Sequence, residues 1–218
     1  MKKVLAAVIL LAVITVVDVL VGQLSLTGDE AVAGIFEENM RIGVLLPLSG
    51  EQADLGRSAK RGVELAGVGL RSWGLVAQIE DTRCEVEYAR QALNRLVESG
   101  ADALIGTVCP DVANDIALLA AEQGIPFVSF DVGTSAETAE DDGRLSAQIA
   151  EPAAMADYFV SGHQARYGTD PDYAAALAFD VLTALTMELR DNTGGADELY
   201  DHLRVMSHYG VSGTVTFR

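Results

Sequence analysis

Ile42 to Pro47 is apolar apart from one glycine, and it stands between Arg41 and a Ser49-Gly50 turn. A run this short, without polar alternation, predicts a strand buried on both faces, the kind that belongs to parallel sheets covered by helices. The pattern then switches to helical spacing. Arg57 to Val68 places Ala59, Val63, Leu65 and Ala66 largely on one side, with Arg57, Lys60, Arg61 and Glu64 around them, an amphipathic helix weakened at its end by Gly67 and Gly69. Leu75 to Glu80 is a second strand, and Glu85 to Ser99 a helix with Ala89, Leu93, Leu96 and Val97 inward. Ala103 to Ile105 is a third strand, ended by Gly106. Asp111 to Gln123 is a helix that stops at Gly124, and Pro126 to Phe130 a fourth strand. Strands and helices alternating in this way predict an α/β fold: a doubly wound, mostly parallel sheet with helices on both faces.

The pattern then loosens. Asp131 to Asp142 is a polar loop, Arg144 to Ile149 a brief strand, and Glu151 to Tyr167 a helical stretch that closes on Gly168. Asp170 is the expected cap of the next helix, with Pro171 in its first turn, and that helix runs to about Arg190. Ala174, Ala175, Leu177, Ala178, Val181, Leu182, Leu185 and Leu189 leave it only a narrow polar strip, so it is either wedged in the core or turned toward a partner surface. Ala196 to His208 is a further helix, and Val211 to Phe217 a last strand. In an open α/β sheet, ligands bind beyond the carboxyl ends of the strands. The Leu48 to Gly56 loop after the first strand is therefore the first candidate site, with Ser49 in its turn.

Composition adds a compartment and excludes some partners. Lys2 and Lys3 precede a run from Val4 to Val17 that is apolar but for Thr15. That is the length of a signal-peptide core and short for a membrane span. Residues 1–22 are read as either a cleaved signal peptide or an uncleaved amino-terminal membrane anchor, 23–39 as a linker and 40–218 as one folded lobe. Either leader exports the lobe, to the periplasm or the outer face of the cytoplasmic membrane, and only the leader meets the membrane. In an oxidising compartment the even pair Cys84 and Cys109 defaults to a disulfide. The loop it closes, about 25 residues, corresponds to ~3.5 kcal/mol in the chain-entropy model. The formal net charge of -17 repels phosphate, which argues against nucleic acid and anionic membrane as partners.

RIGVLLPLSG, EDTRC, ESGADALIGTVC, AEQGIPFVSF and ARYGTDPDYAAALAFDV together resemble the branched-chain amino-acid binding proteins of ABC transporters, which have the type I periplasmic-binding fold. The resemblance covers Arg41 to about Glu137 and about Gly162 to Phe217, in family order. It implies a two-lobed receptor, yet here RLSAQIAEPAAMADYF, similar to the start of the family's second lobe, runs straight into FVSGHQARYG, similar to the returning helix of the first. The expectation is a single lobe made by internal deletion, with half a binding site. By the same resemblance the ligand contacts fall at Leu55, where the family often has an aromatic, at Pro110, where it often has a hydroxyl, and at Val132, Gly133 and Thr134, with Asp131 apparently inserted before them. Pro110 has neither a hydroxyl nor an N–H to grip a carboxylate. Thr134 either donates to a ligand or organises its turn. Asp111 and Asp131 would favour a cationic group over a free carboxylate.

Nothing in the chain points to catalysis. His163, His202 and His208 have no paired nucleophile and no metal-ligand spacing, and are read as surface histidines in helical or helix-end stretches. GVGLRSWG follows a helix instead of a strand, outside the context a dinucleotide loop requires. No metal and no cofactor is expected. The reading is a non-catalytic, exported solute-binding module related to ABC-transporter amino-acid receptors. It would hold a small polar ligand such as an amino acid and meet an ABC permease. The alternative is a single-lobe interaction or scaffold protein of the cell envelope that has lost ligand binding and uses the uncovered surface to form a homodimer or dock on an envelope protein.

Overall fold

The apolar run at the head of the lobe forms β1 (Arg41–Leu46), in which every residue after Arg41 is buried. The computed structural model describes residues 39–106, 109–130, 145–191 and 196–218. The leader over 1–22, the linker over 23–39 except Asn39, and the candidates Asp131, Val132, Gly133 and Thr134 lie outside the described residues. After β1 come α1 (Ala53–Leu70), β2 (Val76–Asp81), α2 (Val86–Glu98), β3 (Ala103–Gly106), α3 (Pro110–Glu122), β4 (Phe127–Phe130) and β5 (Leu145–Pro152). The chain ends with α4 (Asp157–Tyr167), α5 (Tyr173–Asp191), α6 (Ala196–Val205), β6 (Ser207–Tyr209) and β7 (Gly213–Phe217).

The seven strands among the described residues join one sheet in the order β2-β1-β3-β4-β5-β7-β6. The first five run parallel; at one side β7 pairs antiparallel with β5, and β6 antiparallel with β7. The chain steps outward from β1 to β2 through α1, then back past β1 to β3 through α2. Right-handed crossovers taken in opposite directions put α1 and α2 on opposite faces. This is the doubly wound, mostly parallel α/β sheet expected from the alternation of apolar runs.

The helix with the narrow polar strip, α5, is the central core helix. Ala174 to Ala178, Val181, Leu182, Ala184 and Leu185 are all buried, which decides between the two readings of its apolar surface in favour of the core. It packs on α1 so closely that a Cβ on Gly62 would fall 1.9 Å from the carbonyl oxygen of Ala175. Backbone cannot yield there as a flexible side chain does. Gly62→Ala is expected to force the helices apart and to cost about 1–3 kcal/mol, the usual range for overpacking. Gly67→Ala, on the same helix where a Cβ would meet nothing within 4 Å, should instead gain about 0.5–1 kcal/mol from helix propensity. Urea denaturation of the two variants checks both signs.

Several boundaries differ from the hydropathy reading, each for a tertiary reason. The strand expected over Arg144 to Ile149 extends to Pro152 because β7 pairs with it as far as Gly213, so the helical stretch begins at Asp157 instead of Glu151. The helix expected over Ala196 to His208 ends at Val205, and His208 belongs to β6, half-buried opposite Val215. Asp172, not Asp170, caps α5: its carboxylate accepts the Ala175 N–H at 3.0 Å and the Ser58 hydroxyl of α1. His163 is no surface histidine. It is 1% exposed, lies between Phe159 and Tyr167, and its Nδ1 donates to the Thr169 carbonyl at 2.7 Å.

Candidate functional site

Reversal of the strand order at β1 makes the carboxyl ends of β1 and β3 the topological switch point, where an open α/β sheet leaves a crevice between diverging loops. On one side stands the Pro47–Gln52 loop that leads into α1. On the other stands the start of α3. Gly106 ends β3 at φ 143°, and a Cβ there would lie 2.1 Å from the Leu45 carbonyl oxygen. Only glycine lets the two strands finish this close together.

One carboxylate shapes the first loop. Asp81, the last residue of β2, accepts the Ser49 hydroxyl at 2.6 Å on Oδ2, and the N–H groups of Leu48 at 2.8 Å, Arg83 at 3.0 Å and Ser49 at 3.3 Å on Oδ1. The Leu48 carbonyl accepts from Arg57 Nη1 at 3.2 Å, so both sides of that peptide are engaged. Burial by itself pushes the Asp81 carboxyl upward. The Ser49 hydroxyl and the three backbone N–H groups outweigh it and hold the group below its ordinary value of 3.8. A carboxyl depressed on folding contributes stability at pH above its unfolded value, and that contribution is lost as pH falls through the folded value.

The other wall is tied to the same turn by covalent chemistry. Cys84, just past β2, is bonded to Cys109, the residue before α3, with Cα atoms 5.7 Å apart. The disulfide expected from the cysteine pair thus spans the loops after β2 and β3, on either side of β1. Arg83 and Cys84 both adopt φ 55°, a left-handed conformation that is uncommon for residues with a Cβ and persists where surrounding contacts over-determine it. Here those contacts are the Asp81 carboxylate, the disulfide, and the Arg83 guanidinium seated 4.0 Å above the Tyr88 ring.

The described candidates divide by role. Ser49 lies on the loop, with its hydroxyl proton directed to Asp81. Leu55 is on the first turn of α1, partly buried against the core. Pro110 is the first residue of α3; this position suits proline, whose missing N–H is one of the helix start's unpaired donors in any case. Ser49 thus stands on the loop after β1, and Leu55 and Pro110 at the starts of the helices that follow β1 and β3. Asp81 escaped the sequence reading. Its only signal is the EDTRC segment itself: an acidic residue at a strand end, two positions before a half-turn of left-handed backbone that hydropathy does not register.

Among the described residues no group of three or more His, Cys, Asp or Glu is placed to hold a metal ion. Among them, too, no helix is long and apolar enough to cross a membrane.

A family profile described as periplasmic binding protein matches residues 39–186. The comparison with curated protein sequences returns no match. Among solved structures, the chain is similar to the branched-chain amino-acid substrate-binding protein LivJ of Streptococcus pneumoniae, solved with isoleucine, at TM-score 0.65 and 12% identity over 81% of this chain and 91% of that one. It is similar to the leucine-binding protein LivK of Thermotoga maritima, at TM-score 0.60 and 15% identity over 80% and 90%. A third likeness is to an ABC-transporter solute-binding protein of Rhodopseudomonas palustris, solved with 3,4-dihydroxybenzoic acid, at TM-score 0.64 and 11% identity over 84% and 93%. At these identities the likeness establishes the fold.

Proposed function

The chain belongs to the periplasmic binding protein family, and from that membership we propose that it is an exported, non-catalytic solute-binding module that holds a small polar ligand at the carboxyl ends of β1, β3 and β4. The observation that carries this reading is the rigid frame at the switch point, where Asp81 and the Cys84–Cys109 bridge fix two facing loops. A binding crevice needs loops whose shape is set before the ligand arrives, since ordering them afterwards subtracts from affinity. The loop bearing Asp131, Val132, Gly133 and Thr134 follows β4 in sequence, and by the family resemblance these residues contribute to the proposed site. Asp111 and Asp131, acidic residues in the segments that follow β3 and β4 in sequence, favour a ligand with a cationic group, as an amino acid or a polyamine has, and the delivery partner is an ABC permease. All strands after residue 39 that are described join one sheet, which supports the reading of a single lobe.

Purified protein is expected to show a raised thermal midpoint with arginine or spermidine and a smaller rise with leucine. A ligand at a hundred times its dissociation constant stabilises by about 2.7 kcal/mol, or about 5–10 °C for a domain of this size. A stronger rise with leucine would reject the cationic preference. A flat response to all three, together with a stable dimer by light scattering, would favour the second reading: an envelope interaction module. Pro110 favours that reading, because a helix that starts with proline offers one N–H fewer to an anionic ligand group.

A further inference from the structure

The Pro47–Gln52 loop at the switch point has no regular secondary structure of its own. Its backbone N–H groups at Leu48 and Ser49 point away from the strand ladder and end on one side chain, Asp81, which also accepts the Ser49 hydroxyl and the Arg83 N–H. The turn on the far side is in contact with the first. The Arg83 carbonyl oxygen lies 3.3 Å from where a Cβ of Gly50 would stand, and Gly50 has φ 84°. Two backbone turns of unusual conformation, one before α1 and one after β2, are therefore bound to the same carboxylate, and it is the acidic group that joins them.

We propose that Asp81 is the positioning residue of the binding site: it sets the conformation of the Leu48–Gly50 turn, and with it the direction in which that turn faces a ligand, without touching the ligand itself. The assignment rests on the solute-binding reading for its functional meaning, because a turn is positioned only if something docks on it. Its structural content stands apart from that reading. The remaining stability of the lobe comes from the core around α5 and the sheet, to which the half-exposed Asp81 adds little apolar burial. Its removal is accordingly a local event. The left-handed backbone at Arg83 and Cys84 loses one of its three contacts, with the disulfide and the Tyr88 ring remaining, and the Leu48 and Ser49 amides open to water.

The test is amide hydrogen exchange, residue by residue, on the unliganded wild type, Asp81→Ala and Asp81→Asn, with the amides of α5 as the internal reference. Asp81→Ala should speed exchange at the part-buried amides of Leu48 and Ser49 by roughly 10-fold or more, and less at the exposed Arg83 amide, the effect of removing a charge-assisted acceptor, while α5 keeps its protection. Asp81→Asn retains the Oδ1 acceptor and should give a smaller acceleration at the same three amides, rescue by the conservative variant. Unchanged exchange at these amides in Asp81→Ala overturns the proposal. So does an equal acceleration of α5, which would make Asp81 a stability residue only. Leucine, arginine and spermidine titrated into the wild type report separately on the solute-binding reading: no response to any of them counts against that reading and leaves the exchange result to be judged by itself.

Discussion

Asp180→Ala should lower the melting temperature by about 10 °C. Asp180 sits in the middle of α5 at 0% exposure, and its carboxylate accepts the Val211 N–H at 2.7 Å, the Ser212 N–H at 2.8 Å and the Ser212 hydroxyl at 2.5 Å. These contacts fasten the turn between β6 and β7 to the core helix. Alanine leaves two backbone donors and one hydroxyl buried without partners, at about 1–3 kcal/mol each. After partial relaxation the loss is on the order of 3–5 kcal/mol, a large share of a total stability of about 5–15 kcal/mol. At about 2–4 °C per kcal/mol for a chain of this size, the midpoint falls accordingly. Gly210→Ala should act through the same contact, because a Cβ there would lie 2.1 Å from the Asp180 carboxyl carbon. A melting curve of Asp180→Ala within 2–3 °C of wild type would mean that water replaces the carboxylate at the turn.

The same carboxyl sets a pH dependence opposite in sign to that of Asp81. Burial raises it above its ordinary value; the Ser212 hydroxyl and the N–H groups of Ser212 and Val211 pull it back in part, as does the neighbouring His208. A carboxyl raised on folding binds its proton more tightly in the folded state. Its contribution to stability therefore falls as pH rises from the unfolded value of 3.8 through the folded one, and is recovered on acidification. In Asp180→Asn that slope should vanish from the pH profile of stability, whereas the loss of stability on the acid side that Asp81 contributes should persist.

Removal of the disulfide in the double variant Cys84→Ser, Cys109→Ser is the second large effect, a loss of about 2–5 kcal/mol. The bridge spans 25 residues, including β2's exit, all of α2 and β3, so its loss lengthens the free loop of the unfolded chain and also untethers the two turns at the switch point. Reductant added to the wild type should reproduce the double variant's melting curve, and reductant added to the double variant should change nothing. Identical wild-type curves with and without reductant, once thiol titration confirms two free cysteines, would show that packing alone holds these turns.

The sheet was legible in the sequence because burial on both faces leaves a mark in composition. Ile42 to Leu46 has no polar residue to alternate with, and the helical spacing of Ala89, Leu93 and Leu96 survives any choice of partner. The site was less legible. Ser49 was placed by the rule that ligands bind beyond the strand ends and Leu55 and Pro110 by resemblance to a family; the structure puts Ser49 on the loop after β1 and the other two in the first turns of α1 and α3, yet the group that organises the first loop, Asp81, read as one acid among many in a chain of net charge -17. Asp180 and His163 were missed in the same way. A buried polar residue within an apolar helix, or a histidine beside a glycine, takes its meaning from what lies across the core from it.

Local chemistry, then, was enough to specify most of the strands and helices and the doubly wound α/β class, since these follow from periodicity and from neighbours within a few residues, while the disulfide was expected from an even cysteine pair behind an export leader. Tertiary structure alone decided that Asp172 instead of Asp170 caps α5, that β5 continues to Pro152, and that two aspartates 99 positions apart, by their numbers Asp81 and Asp180, anchor the turns at β1 and β7. Those outcomes depend on which donors and strands arrive from distant parts of the chain, and a hydrogen bond leaves no trace in the sequence until both of its ends have been folded together.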